Sequence, residues 1–249
     1  MLKPISALLL AATLTTPAMA DDFSDKIKQA LKSELRSEKE KERDRNRKPV
    51  QTLEFFGIQD DMKVLELIPG RGWYTKLLAP ALRDNGQLYL ALGTSRIEKS
   101  LQSEKALNKV KLLATDSDFE YNEAEKLFDL TSTDLNIKDL DAVLTFRNYH
   151  NLTVKSRTEL NESVFKALKP GGIYGVVDHT RRHMQDNDNE NGRRVDPVLA
   201  IKEIQAAGFE FVDYSKLHYR PDDELRYEVG RKSVTGNTDR FTFLFKKPE

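Results

Sequence analysis

Short runs of apolar residues alternate along this chain with longer stretches in which apolar residues recur every three or four positions. The runs at 64–68, 140–146 and 173–177 have the length and continuity of strands buried inside a parallel sheet. The stretches that follow them have the spacing of amphipathic helices. Strands that alternate with helices in this way predict an α/β fold built on a parallel sheet.

The whole pattern predicts helices and strands over most of the chain. Helices are predicted over the first half of 22–48 and at 50–56, 73–82, 96–109, 156–168 and 197–207, and strands at 64–68, 87–92, 140–146, 173–177, 209–218 and 240–245. The last two strands are expected to be antiparallel. The third strand has two candidates, 110–115 and 127–130, and in the first case 118–130 forms an inserted hairpin.

The strand at 64–68 ends in a turn that contains two glycines. Pro69 and Gly70 end the strand, Gly72 follows, and the helical pattern begins directly afterwards. A residue without a Cβ lets the backbone approach a ligand closely, and N–H groups at a helix start point towards it. Glu66 lies inside the strand, where a carboxylate is costly without a partner. The turn is therefore a candidate ligand site, and the alternative is a structural turn without a ligand.

A second candidate site follows the strand at 140–146. Arg147, Asn148, Tyr149, His150 and Asn151 stand in a row directly after this strand. In open α/β sheets, ligands bind beyond the carboxyl ends of the strands, near the switch in strand order. We therefore expect this segment and the glycine turn to share a pocket. The alternative is a helix entry in which His150 or Asn151 is the N-terminal cap.

The residues from Glu66 to Thr75 resemble the first motif of class I S-adenosylmethionine-dependent methyltransferases. A narrower resemblance is to a group of methyltransferases predicted to be exported, which share Pro-Gly-x-Gly-Trp-Tyr-Thr and a later Phe-Arg-Asn-x-His-Asn. Both motifs occur here, at 69–75 and 146–151, and Leu-Lys-Pro-Gly-Gly at 168–172 is frequent in the wider family. The resemblance implies a Rossmann-like fold: a mostly parallel seven-stranded sheet with an antiparallel last strand and helices on both faces.

The resemblance also implies S-adenosyl-L-methionine as the cofactor and methyl transfer to an unidentified acceptor. The implied cofactor contacts are Glu66, Pro69, Gly70, Gly72, Trp73, Tyr74, Thr94, Asp116, Arg147 and Asn148, with Asp134 as the alternative to Asp116. We expect Tyr149, Asn151 and Asp178 at the substrate. His150 and His179 are the candidate bases, since imidazole titrates near neutral pH, and the alternative for both is hydrogen bonding to the substrate.

The chain differs from the wider family in two places. Ile68 stands where the family has the first glycine of its turn, and no acid ends the strand at 87–92, which continues into Gly93 and Thr94. These differences support an alternative function, a catalytically inactive methyltransferase-like binding protein. A second alternative is a metal-dependent enzyme in which Asp178, His179 and His183 bind the cation.

Composition excludes several kinds of site. The chain has 249 residues, 39% of them hydrophobic, and its 40 basic and 40 acidic residues give a formal net charge of zero. Without a basic excess, we expect no nucleic-acid partner. The absence of cysteine excludes disulfides, thiolate metal sites and a cysteine nucleophile. Neither the acceptor nor the oligomeric state can be deduced from the sequence.

Residues 1–20 have the pattern of a signal peptide. Lys3 precedes an apolar segment at 5–14, and Ala18-Met19-Ala20 fits a cleavage site. We expect cleavage after Ala20, a periplasmic or secreted protein, and no membrane span in the mature chain. Residues 21–48 are then a charged helical extension, and 49–249 a methyltransferase-like domain. The segment 37–48 is either a recognition arm, with Arg43, Arg45, Arg47 and Lys48 near the pocket mouth, or a solvated connector.

Overall fold

The computed structural model describes residues 18–113 and 117–249, with side chains from residue 22 onward. Two sequence predictions fall outside this range. They are most of the signal peptide, at 1–17, and the expected cofactor contact Asp116. In the part of the chain that is described, no helix is long and apolar enough to cross a lipid bilayer.

Among the described residues, seven strands form a central sheet and two more form a separate hairpin. The strands are β1 (Lys63–Leu67), β2 (Gln87–Ala91), β3 (Lys111–Leu112), β4 (Phe119–Asn122), β5 (Leu127–Leu130), β6 (Leu140–Phe146), β7 (Leu168–His179), β8 (Glu210–Tyr214) and β9 (Arg240–Lys246). The sheet order is β3-β2-β1-β6-β7-β9-β8. Within this seven-stranded sheet, all pairings are parallel except those of β9, which is antiparallel to both neighbours. This confirms the predicted mostly parallel sheet with an antiparallel last strand.

The structure decides between the two candidates for the third strand. The short strand β3 pairs with β2 in the central sheet, whereas β5 pairs with β4 as an antiparallel hairpin. Phe119 of this hairpin packs against the core, and its ring lies 3.3 Å from the position a Cβ would take on Gly93. The hairpin therefore extends to the end of β2, on the side of the sheet where ligands are expected.

Helices cover both faces of the sheet. They are α1 (Ala18–Leu31), α2 (Glu38–Lys41), α3 (Asp44–Arg47), α4 (Pro49–Phe55), α5 (Thr75–Ala81), α6 (Glu98–Ser103), α7 (Val154–Ala167) and α8 (Pro197–Ala206). The buried residues form two apolar clusters, and successive residues of β1 alternate between them, because side chains of a strand point to opposite faces. One cluster includes α1, α4 and α5, and the other includes α7 and α8.

The charged segment after α1 is docked onto the glycine turn. The Trp73 indole Nε1 donates to the carbonyl of Glu40 at 3.0 Å, and Lys76 forms an ion pair with the Glu40 carboxylate at 2.9 Å. The guanidiniums of Arg36 and Arg47 lie 5.0 and 4.2 Å from the Trp73 ring centre. The segment therefore packs against the domain, and the idea of a merely solvated connector is wrong.

The strand order reverses between β1 and β6. From β1 the chain proceeds outward through β2 and β3, then returns to the other side of β1 with β6 and β7. Such a switch opens a crevice at the carboxyl ends of the two central strands. The glycine turn follows β1, and the segment from Arg147 to Asn151 follows β6, so both border this crevice.

Candidate functional site

The turn after β1 depends on backbone conformations that glycine adopts easily. Gly70 and Gly72 have φ values of 60° and 76°, and Ile68 has a φ of 51°. A β-branched residue in this left-handed region is strained, so the turn needs support. Asn148 provides it, since its side-chain amide donates to the carbonyl of Ile68 at 2.9 Å and to that of Phe146 at 3.1 Å. Asn148, expected at the cofactor, thus joins the ends of β1 and β6.

The two glycines of the turn have different surroundings. A Cβ on Gly70 would meet no atom of the described residues within 4 Å, so this position is open with respect to them. A Cβ on Gly72 would lie 1.9 Å from Cδ1 of Ile97. Gly72 was expected to make room for a ligand, but the space beside it is filled by an isoleucine. Only Gly70 keeps the open position that a bound molecule needs.

Glu66 is a buried acid with a partner inside the turn. It is 3% exposed, and its Oε2 accepts from the hydroxyl of Thr75, the first residue of α5, at 2.6 Å. Burial raises the pKa of Glu66 to about 7, against the opposing effects of the Thr75 hydrogen bond and the Arg47 charge. The carboxyl therefore fixes the start of α5 relative to β1.

The aromatic residues of the turn are packing residues. Trp73 lies against the docked segment described above, and the Tyr74 ring stacks on Phe146 with centres 3.6 Å apart. Pro69 is also buried. Trp73 and Tyr74 were expected at the cofactor; the structure instead places them on the side of the turn covered by the N-terminal segment, because their large apolar surfaces are buried there.

The end of β2 lacks an acid but has one nearby. Leu92 and Gly93 both have left-handed conformations, with φ values of 62° and 59°. The hydroxyl of Thr94 donates to Oε1 of Glu98 at 3.1 Å. Glu98 escaped the sequence analysis because it lies four residues beyond Thr94, within the helical pattern. Asp134, the alternative to Asp116, is exposed and accepts from the backbone N–H of Asn136 in a local turn.

His150 and Asp178 form a buried pair at the carboxyl edge of the sheet. Nδ1 of His150 lies 2.5 Å from Oδ1 of Asp178, and the backbone N–H of His150 donates to Oδ2 at 2.9 Å. Asp178 is fully buried. Because a carboxylate can only accept a hydrogen bond, Nδ1 of His150 carries the hydrogen, and Nε2 is the acceptor of the neutral ring. Asp178, expected at the substrate, instead positions His150.

His179 lies beside this pair and is held neutral. The two imidazole rings have centres 5.6 Å apart, and Nδ1 of His179 lies 3.0 Å from the Thr238 hydroxyl. Burial lowers the pKa of His179 well below its usual value, and His150, Arg147 and Arg240 lower it further. His179 is thus suited to hydrogen bonding more than to holding a positive charge.

A cavity of about 740 Å³ opens over these residues, and Arg147, Asn148, His150, Asn151 and His179 all line it. A second cavity of about 540 Å³ adjoins it and shares His150 and Asn151. The structure thus brings together most of the residues predicted after β6 and β7. Volumes of this size suit a small molecule.

Comparisons with known proteins find structural neighbours only. No family model matches the chain, and no curated protein matches it. An S-adenosylmethionine-dependent methyltransferase from Aquifex aeolicus has 15% identity and a TM-score of 0.59, over 90% of this chain and 97% of that one. The CcbJ methyltransferase from Streptomyces caelestis has 13% identity and a TM-score of 0.52, over 83% of this chain and 90% of that one.

This chain has the Rossmann-like methyltransferase fold. At these identities the likeness concerns the fold alone. The [4+2]-cyclase SpnF is similar to the same degree, with 15% identity and a TM-score of 0.55 over 91% of this chain and 93% of that one. The reaction must therefore be argued from the residues of the site.

Tyr149 was expected at the substrate and lies in the core instead. It is 1% exposed, its hydroxyl donates to Oε2 of Glu203 at 2.7 Å, and it accepts from Asn161 at 2.9 Å. Tyr149 and His150 belong to one short 3-10 turn, so their side chains diverge. The suggestion that His150 or Asn151 caps the following helix is also wrong, because Thr153 is the N-cap of α7.

Thr238 and Arg240 line the cavity but were not predicted from the sequence. Arg240 and Thr238 reach the cavity because β9 is antiparallel, so its first residue pairs with His179, the last residue of β7. The prediction that the last strand is antiparallel already implied that its first residues lie at the carboxyl edge of the sheet. Arg43 and Arg47 also line the cavity, as the idea of basic residues near the pocket mouth anticipated.

His183 does not join Asp178 and His179. Its Nδ1 lies 2.9 Å from Oδ2 of Asp196, the residue that caps α8. Across the described residues, no group of three or more histidine or acidic side chains is placed to bind a metal ion. The geometry therefore gives no support to the metal-dependent alternative.

Proposed function

We propose that this chain binds S-adenosyl-L-methionine at the crevice between β1 and β6 and catalyses methyl transfer to a small-molecule acceptor in the 740 Å³ cavity. The observation that carries the proposal is the His150–Asp178 pair, which stands at the cavity wall beside the switch in strand order. The fold and the similar methyltransferases support the choice of cofactor.

The residues around the turn fit this cofactor, in a modified form of the family pattern. Gly70 provides a left-handed position with open space above it. Glu98, held by Thr94, offers a carboxylate near the end of β2, and we infer that it substitutes for the acid absent from that strand. Ile97 and Phe119 narrow the crevice at Gly72 and Gly93. When bound, the cofactor supplies the electrophilic methyl group.

His150 is the proposed general base. Asp178 holds the proton on Nδ1, and no described residue bonds Nε2, so Nε2 can accept a proton from an acceptor hydroxyl or amine. His179, kept neutral, and Asn151 provide further hydrogen bonds in the same cavity. Methyl transfer needs the reacting groups in line, so much of the protein's task is to hold them there.

The test compares His150→Asn with His183→Asn. An asparagine at 150 can still donate to Asp178 but cannot accept the acceptor's proton, whereas His183 lies at Asp196, away from the His150–Asp178 pair. Calorimetry with S-adenosylhomocysteine should give similar affinities for both variants and the wild type. In a methyl-transfer screen with labelled cofactor, the rate of methyl transfer by His150→Asn should be lower than that of the wild type by about 100-fold or more, which is the lower range for general base catalysis.

Three other results have clear meanings. Wild-type protein that does not bind S-adenosylhomocysteine would contradict the cofactor proposal. Binding without turnover on any acceptor of the screen would favour the inactive binding protein. Full turnover by His150→Asn would show that another group takes the proton.

A further inference from the structure

Three arginines, two of them buried and Arg147 partly buried, converge on the cavity without a direct ion-pair partner among the described residues. Arg47 comes from α3, Arg147 follows β6, and Arg240 begins β9. Arg47 and Arg240 are each 5% exposed. None of the three forms an ion pair with any described carboxylate, and the Nε atoms of Arg47 and Arg147 are buried without a hydrogen-bond partner. Among the described residues, the Arg240 side chain donates only to the carbonyl of Thr238, at 3.3 Å.

Elsewhere, this protein pairs its buried arginines. Arg157 makes two hydrogen bonds of 2.7 Å to the carboxylate of Glu203. Arg194 makes two to Asp223, at 2.9 and 3.0 Å. These forked arrangements satisfy the guanidinium and balance its charge. The cavity arginines are therefore an exception within the same chain.

The exception carries an energetic cost. A buried charge is unfavourable unless it is paired, and neighbouring like charges add repulsion. Burial is the main reason why the pKa of Arg47 is lowered to about 8, and the nearby guanidiniums lower it further. The same two causes lower the pKa values of Arg147 and Arg240 to about 10. Guanidinium groups seldom release their proton in proteins. Asp178 and Asp239 attract Arg147 and Arg240 from a distance, but no described carboxylate forms an ion pair with any of the three. A bound anion would supply the direct partner that these guanidiniums lack.

We propose that Arg47, Arg147 and Arg240 bind the carboxylate or phosphate group of a small molecule that occupies the cavity beside His150. Guanidiniums present parallel N–H groups that match the oxygens of either anion. Among the described residues that line this cavity, Glu42 is the one acid, so the charge of the lining favours an anion. That this anion is the methyl acceptor rests on the proposed function, but anion binding itself does not.

The first test measures anion binding without the cofactor. The full chain is titrated by calorimetry with inorganic phosphate and with citrate, each against sodium chloride of equal ionic strength. Arg240→Met should weaken binding by about tenfold or more, the loss expected for one charge-assisted hydrogen bond. Arg45→Met is the matched control, because Arg45 lies on the same short helix as Arg47 but is exposed and outside the cavity.

Each outcome of this titration has a defined meaning. Binding of phosphate alone indicates a phosphoryl group, and binding of citrate alone indicates a carboxylate. No binding of either anion beyond the chloride control overturns the proposal, and so does an equal loss in Arg45→Met. Anion binding by a protein that transfers no methyl group would leave this proposal standing while the proposed function fails.

The second test asks whether the arginines are merely structural. In anion-free buffer, Arg240→Met should melt at the same temperature as the wild type or higher, because an unpaired charge is replaced by an apolar side chain of similar length. Arg157→Met should melt at a lower temperature, because Glu203 would lose its partner. If the two variants lose stability equally, the arginine cluster supports the fold and the proposal is wrong. Arg147→Met repeats the test at an independent position.

Discussion

Replacing Glu66 by glutamine should change how the stability of this protein depends on pH. The buried carboxyl has a pKa of about 7 in the folded protein, against its usual value of 4.5 in the unfolded chain. The folded state therefore holds this proton more tightly. Glu66 contributes its full stabilisation below pH 4.5, and that contribution is lost as the pH rises through 7.

The size of the effect follows from the two pKa values. Their difference corresponds to about 3.4 kcal/mol, at about 1.36 kcal/mol for each pKa unit. About 2.5 kcal/mol of this is lost between pH 5 and pH 8, where the carboxyl passes from mostly neutral to mostly charged. Glutamine stays neutral, and its side-chain carbonyl can still accept from Thr75. The variant should equal the wild type well below pH 4.5, exceed it by about 0.8 kcal/mol at pH 5 and by about 3.3 kcal/mol at pH 8, so that the difference between the two proteins grows by about 2.5 kcal/mol over this range.

The assay is urea unfolding of both proteins at several pH values between 5 and 8. The difference between the two curves is the informative quantity, because His179 and His218 give the opposite slope. Burial lowers the pKa of His218 to about 4, so its contribution grows as the pH rises towards 6.5. The control variant Glu123→Gln, in the exposed turn of the hairpin, should leave the curve unchanged in shape.

A difference that stays constant from pH 5 to pH 8 would refute this reasoning. So would a variant that is less stable than the wild type at pH 8. Either result would mean that Glu66 is charged and well paired in the folded protein, through contacts stronger than the single hydrogen bond to Thr75.

Two further predictions concern the glycine turn and the N-terminus. Gly72→Ala should lower the unfolding free energy by about 1–3 kcal/mol, as overpacking does, and the same change should cost less in an Ile97→Val background, which lacks the Cδ1 atom that the new Cβ would meet. Unchanged stability of Gly72→Ala on urea unfolding would contradict the contact. Gly70→Ala faces no such contact and should weaken S-adenosylhomocysteine binding more than it weakens the fold, as calorimetry would measure; normal affinity would move the cofactor elsewhere. We also propose that the chain is exported: N-terminal sequencing after expression in a Gram-negative host should begin at Asp21, and retained Met1 on cytosolic protein would argue against export.

The sequence by itself determined the sheet and the general place of the site. Apolar runs and helical spacing depend on neighbours a few positions away, so they predict local structure well. The polar residues after β6 were expected at the carboxyl edge, and His150, Arg147 and Asn151 lie there. The choice between β3 and the hairpin remained open because both segments have similar patterns and differ only in which strand they pair with.

Only the tertiary structure decided which side chains meet. Asp178 reaches His150 across 28 positions of the chain, and Arg240 reaches His179 because an antiparallel strand begins where a parallel one ends. Periodicity also could not show that Tyr149 turns into the core beside His150. Such contacts depend on strand register and on packing between distant elements, and a pattern of neighbouring residues contains neither. The arginine cluster exists for the same reason, since its members come from three separate parts of the fold.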